Sequence, residues 1–109
     1  MTRNPDSIPE TPLLARRDGE RHDARTWFIT GASSGLGYAL AECALLQGDR
    51  VVLAARNIDG LRSLASSFPG RALAVAMDVT DRHQRTSAIE NAVAHFGGID
   101  VLVNNAGID

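Results

Sequence analysis

Residues 27–40 read WFITGASSGLGYAL. An aromatic and β-branched run leaves through Thr30-Gly31, passes Gly35 and Gly37, and then turns helical in character. Glycine inside a regular element costs roughly 0.5–1 kcal/mol relative to alanine. Three of them spaced G-x-x-x-G-x-G, with Ser33 and Ser34 between, imply a backbone that bends sharply and lets another group come close. Position adds chemistry to shape. A helix that starts here presents unpaired N–H groups and roughly half a positive charge, a site for phosphate. Gly31 suits the tight exit from the strand, Gly35 the approach of a pyrophosphate to the backbone, and Gly37 close packing of the helix on the sheet. Ser33 and Ser34 add hydroxyl donors. A nucleoside-triphosphate loop would need a lysine and then Ser or Thr at its last glycine. Here Tyr38 follows Gly37 and the chain holds no lysine, so that class is excluded.

Outward from this stretch, two kinds of element alternate. TWFIT (Thr26–Thr30) reads as a short buried strand. Residues 35–47 place Leu36, Leu40, Cys43 and Leu46 on one helical face, which makes Cys43 a core residue, and Gly48 is the stop. RVVLAA (Arg50–Ala55) is the second strand. Residues 58–68 carry Leu61, Leu64, Ala65 and Phe68 at helical spacing and end at Pro69-Gly70. Residues 72–79 form the third strand. Thr80 or Asp81 caps a helix that runs to about His95 or Phe96 and buries Ile89, Val93 and Phe96. Residues 99–105 form the fourth strand. Strands apolar on both faces and separated by helices predict a parallel sheet covered on both sides. With right-handed crossovers the expected architecture is α/β, a partial doubly wound, Rossmann-like sheet of strand order 3-2-1-4.

Residues 1–25 differ in kind. They hold Pro5, Pro9 and Pro12, and their five arginines balance five acids, with no sustained apolar period. Such a segment is expected to be a flexible tail ahead of a nucleotide-binding unit at 26–109. In the whole chain of 109 residues, a formal charge of -2 gives no case for a nucleic-acid surface. No apolar run approaches the roughly 20 residues of a membrane-spanning helix. The single Cys43 forms no internal disulfide, so a reducing, cytoplasmic setting is expected.

TGASSGLG (residues 30–37) closely resembles the T-G-x-x-x-G-x-G cofactor loop of the short-chain dehydrogenase/reductase family. Arg56 after the second strand, DVT (residues 78–80) after the third and NNAG (residues 104–107) after the fourth fall in the family's order. The resemblance implies an oxidoreductase that moves hydride between a nicotinamide dinucleotide and a carbonyl or alcohol. Ser34, Leu36 and the loop backbone would contact the pyrophosphate or adenosine ribose. Asp78 would meet the adenine amino group, with the Val79 backbone beside it. Asn104, Ala106 and Gly107 would line the cofactor ribose and brace the central sheet. An acid some 20 residues beyond the glycines binds the ribose 2′-hydroxyl of NAD, whereas an arginine accommodates a 2′-phosphate. Ala55 stands where that acid would sit and Arg56 follows it, so NADP is expected rather than NAD.

Proton transfer in this family runs through a serine and a Tyr-x-x-x-Lys pair, with an asparagine further along. The chain's one tyrosine, Tyr38, lies in the cofactor loop with Glu42 four residues on, and no lysine exists. No catalytic residue is therefore assigned. His22, His83 and His95 have no setting that suggests catalysis. The expectation is the cofactor-binding half of such an enzyme, inactive by itself. The second reading is a non-catalytic nucleotide-binding or interaction module that docks on a full-length homologue. Family members are usually oligomeric, and the apolar edge of the fourth strand leads us to expect self-association.

Overall fold

The computed structural model describes residues 23–105. Its elements run β1 (Thr26–Thr30), α1 (Gly35–Leu46), β2 (Arg50–Ala55), a 3₁₀ turn (Asp59–Leu61), α2 (Arg62–Ser67), β3 (Ala72–Ala76), α3 (Arg82–Phe96) and β4 (Val101–Asn104). All strand pairs are parallel and the order is β3-β2-β1-β4. This is the expected Rossmann-like α/β sheet. Residues 1–22, most of the expected tail, lie outside the described residues. Its last two residues, Ala24 and Arg25, already bond to the sheet: Arg50 donates to the Ala24 carbonyl, and the Arg25 carbonyl accepts from the Arg50 amide.

Alternation along the strands builds two cores. Ile29, Val51, Leu53 and Ala55 face α1 and α2, where they meet Ala41, Ala44, Leu45, Leu61 and Leu64. Phe28, Val52 and Ala54 face the other way, against Ala88 and Ala92 of α3 and against Met77. Phe28, Ile29, Leu45, Leu53 and Leu61 are each fully buried, and each such side chain stabilises the fold by roughly 1.5–3 kcal/mol. Among the described residues no helix is long and apolar enough to cross a membrane.

Two helix faces differ from expectation. Leu36, Cys43 and Leu46 are exposed; α1 buries Gly37, Ala41, Ala44 and Leu45 instead. Nearly every residue of α1 is apolar or small, so periodicity alone does not choose a face. Gly37 chooses it: positions four, seven and eight further on are the buried ones. In α3 two alanines, Ala88 and Ala92, lie against the sheet, and Ile89 and Val93 stay about 40% exposed. Gly97, at φ 90°, ends α3, its N–H donating to the Val93 carbonyl, and Gly48, at φ 99°, follows α1.

The N-terminal ends of the strands are tied by a polar network. Asp49, 2% exposed, accepts from the Arg25 amide at 3.1 Å and from the Trp27 indole at 2.9 Å. Buried Arg71 donates to the carbonyls of Leu45 and Asp49, and its guanidinium lies 5.2 Å from the Phe68 ring centre. Asp100 accepts from the Thr26 amide at 2.8 Å and holds β4 to β1. Replacing Asp49 with alanine removes a buried acceptor and leaves the partly buried Arg25 amide and Trp27 indole without it. We expect a loss of about 3 kcal/mol, read as a lowered urea midpoint; an unchanged midpoint would show that the network is dispensable.

Candidate functional site

The loop after β1 is held by backbone contacts that permit only glycine at one point. Gly31 turns out of the strand at φ 64°. A Cβ placed on Gly37 would lie 2.5 Å from the Gly31 carbonyl oxygen and 2.6 Å from Nδ2 of Asn105. The first turn of α1 therefore rests directly on the strand exit. Asn105, buried, donates from Nδ2 to the Gly31 carbonyl at 3.2 Å, and its amide donates to the Thr30 hydroxyl at 2.9 Å. Thr30 in turn faces the Val103 carbonyl and Asn104 Oδ1.

Above this support the helix start is open. Ser34 is the N-cap residue, but its side chain caps nothing: Oγ donates back to the Gly31 carbonyl at 3.1 Å. The amides of Gly35, Leu36 and Gly37 begin the helix with no earlier turn to accept them. No acid occupies the first turn. Apart from its chain neighbours and the helix's own backbone, nothing lies within 4 Å of where a Gly35 side chain would be. These features together leave donors and partial positive charge for an anion.

Beside the helix start is a cleft of about 410 Å³ lined by Thr30, Gly31, Ser33, Ser34, Ala54, Ala55, Arg56, Asn57, Met77, Asp78, Val79 and Thr80. It lies at the C-terminal ends of β1, β2 and β3, where ligands of open α/β sheets bind. Arg56, just past β2, is exposed. Asp78 lies in a turn beyond β3, which ends at Ala76 rather than at Val79. Two donors of Thr80 reach one oxygen of Asp78: the amide at 3.0 Å and the hydroxyl at 2.7 Å, both to Oδ1. These bonds, with a further contribution from the Arg56 charge, hold the Asp78 carboxyl below the usual carboxylate range. The ionised form is thus favoured by the fold. Its contribution is present above the ordinary carboxylate pKa and is lost as pH falls through the lowered one.

Six of the sequence-derived positions line this cleft: Gly31, Ser33, Ser34, Arg56, Asp78 and Val79. Gly35 and Leu36 are exposed at the adjoining helix start, and Gly37 is buried beneath. Asn104 sits apart, exposed, beside a hollow of about 120 Å³ under α3. Ala106 and Gly107 lie outside the described residues. Sequence reasoning missed Asn57 and Thr80 in the cleft and the bracing part of Asn105. Thr80 had a signal: a hydroxyl residue two positions after an Asp readily closes a local turn on its carboxylate.

A parallel sheet of this order, with a glycine-supported helix start at the ends of its central strands, defines a Rossmann-type nucleotide-binding fold. The family model described as "short chain dehydrogenase" matches residues 25–109. Oxidoreductase BOA17 of Botryotinia fuckeliana is 48% identical over 84 residues, which cover 76% of this chain and 31% of that protein. A sorbitol dehydrogenase of Cereibacter sphaeroides is 38% identical, with 81% of this chain and 34% of the relative covered. Among solved structures, a short-chain dehydrogenase from Streptomyces avermitilis superposes with TM-score 0.71 at 41% identity, over 73% of this chain and 30% of that one. A 3-ketoacyl-(acyl-carrier-protein) reductase from Brucella melitensis, complexed with NADH, gives TM-score 0.68 at 35% identity, over 72% and 32%. The chain belongs to the short-chain dehydrogenase family, whose members use NAD(P) cofactors. It spans about a third of the length of these relatives.

Substituting Gly37 by alanine forces the new methyl onto a backbone oxygen that has nowhere to go. We expect a destabilisation of about 2 kcal/mol and a melting point lower by about 10 °C. Gly35→Ala, in open space, should leave the melting point within about 3 °C. Equal effects from the two substitutions would contradict this account of the loop.

Proposed function

We propose that this chain is the cofactor-binding portion of an NADP-dependent short-chain dehydrogenase/reductase of the cytoplasm. The observation that carries the reading is the composition of the cleft: an uncapped helix start, an exposed arginine and a carboxylate held ionised, all around one space. The open approach at Gly35 fits a pyrophosphate, which the amides of residues 35–37 and the Ser33 and Ser34 hydroxyls would bind. Asp78 would accept from the adenine amino group, with the Val79 backbone alongside. Asn104, Ala106 and Gly107 would complete the ribose side, as the family resemblance implies.

Arg56 supports NADP over NAD. It follows Ala55 at the end of β2, and no acid stands there to repel a 2′-phosphate. The Brucella relative was seen with NADH, so the preference proposed here rests on this chain's own arginine. When bound, the nicotinamide supplies or accepts the hydride. This chain's residues hold and orient it; among them is no lysine to lower a tyrosine pKa for the accompanying proton. The substrate is a carbonyl compound or the corresponding alcohol.

Titrating the purified protein with NADPH and NADH, followed by nicotinamide fluorescence, tests the proposal. A charge-assisted contact to the 2′-phosphate should favour NADPH by roughly ten- to a hundredfold, and Arg56→Asp should erase or invert that ratio. Gly35→Ala should weaken both dinucleotides about tenfold or more without loss of fold, because its methyl occupies the pyrophosphate approach. Equal affinity of the unaltered protein for the two cofactors would overturn the assignment of Arg56.

A further inference from the structure

The carboxylate of Asp78 is unusually asymmetric in its surroundings. Its Oδ1 takes both the amide and the hydroxyl of Thr80, and among the described residues no hydrogen bond reaches Oδ2. The backbone on either side is also fixed. The Asp78 amide donates to Oε1 of Gln84 at 2.7 Å, and Nε2 of the same side chain donates to Oδ2 of Asp81 at 3.3 Å. Arg85 donates to the Val79 carbonyl at 2.7 Å. Asp81 is itself engaged as the cap of α3, accepting the Gln84 amide on Oδ1. The charged groups around Asp78 are thus accounted for. Asp81 and Arg85 on the α3 side are held by their own partners, and Arg56 stands on the β2 side.

From this arrangement we infer that Thr80 is a positioning residue for base recognition: by occupying Oδ1 of Asp78 it leaves Oδ2 as the single acceptor offered to the base. The inference rests on the proposed function, in which Asp78 reads the adenine amino group. A carboxylate free to rotate would offer either oxygen and could turn away from a base that has no amino donor. One whose first oxygen is tied down by two donors keeps its second, charged oxygen in place. It therefore rewards an amino group there and repels a carbonyl. The Thr80 hydroxyl supplies the shorter of the two bonds. The consequence is discrimination between adenine and hypoxanthine dinucleotides, a property distinct from affinity for phosphate.

The test compares binding of NADPH with that of its hypoxanthine analogue, in which a carbonyl replaces the amino group, for the unaltered protein, Thr80→Val and Thr80→Ser. The unaltered protein should prefer adenine by about tenfold or more. Thr80→Val should narrow this to about twofold, while Thr80→Ser, which keeps the hydroxyl, should restore it. By NMR titration, the Asp78 midpoint should rise toward the ordinary carboxylate value in the valine variant and not in the serine variant. Thr80 is exposed, so all three proteins should fold. An adenine preference unchanged in Thr80→Val, or equal weakening of both analogues, overturns the inference alone. Absence of any adenine preference in the unaltered protein, or its persistence in Asp78→Ala, overturns the reading of Asp78 itself.

Discussion

The contact between the first turn of α1 and the exit of β1 is the constraint on which the remaining structure depends. Gly37 meets the Gly31 carbonyl and the Asn105 amide group with no room for a methyl. This pins α1 to the sheet at one point and fixes its rotation. The residues that lie one and two turns on from Gly37 then become the buried stripe, and they are alanines and a leucine. The same contact sets the start of α1 beside the cleft, with its opening amides beyond the last strand residue. The packing of α1 and its open first turn are thus two results of one missing side chain.

This explains which parts were legible in the sequence. The order of elements was, because strand runs such as RVVLAA (Arg50–Ala55) and the intervening stops at Gly48 and Pro69-Gly70 act locally. The glycine loop was, because G-x-x-x-G-x-G between strand and helix has few structural uses. The buried face of α1 was not legible by hydrophobicity. Leu36, Cys43 and Leu46 form as good an apolar row as the true one, and what decides between them is close approach rather than apolar area. In α3 likewise, Ala88 and Ala92 lie against the sheet, and Ile89 and Val93 flank them half exposed. Small size alone does not mark these faces either, since Gly35, Ala39 and Ala94 are exposed and Leu45 is fully buried; the contact at Gly37 decides α1.

Within the site, the distinction between neighbouring asparagines was also hidden. Asn104 ends β4 and Asn105 follows it, and the two are chemically identical. Strand alternation separates them: Asn104 is exposed near the hollow under α3, and Asn105 turns inward to the Gly31 carbonyl. The β1–β4 register, Thr30 opposite Asn104, decides which does which. No local rule supplies that register; the pairing of residues some 74 positions apart does.

Polar residues gather at both ends of this sheet, and their bonding differs between the two. At the N-terminal ends Asp49, Arg71 and Asp100 meet donors and acceptors of the chain itself: an indole, main-chain amides and carbonyls. Breaking such a network orphans buried groups, so it serves the fold. At the C-terminal ends the hydrogen-bonding capacity is left partly unused. The amides of residues 35–37 have no cap, Oδ2 of Asp78 has no donor among the described residues, and Arg56 is exposed. Partners within the chain mark the first set, of which Asp49 and Arg71 are also buried, and spare capacity marks the second. Two carboxylates, Asp49 just before β2 and Asp78 just after β3, therefore differ in how fully the chain satisfies them. The first accepts on both oxygens, and the second accepts on Oδ1 alone among the described residues.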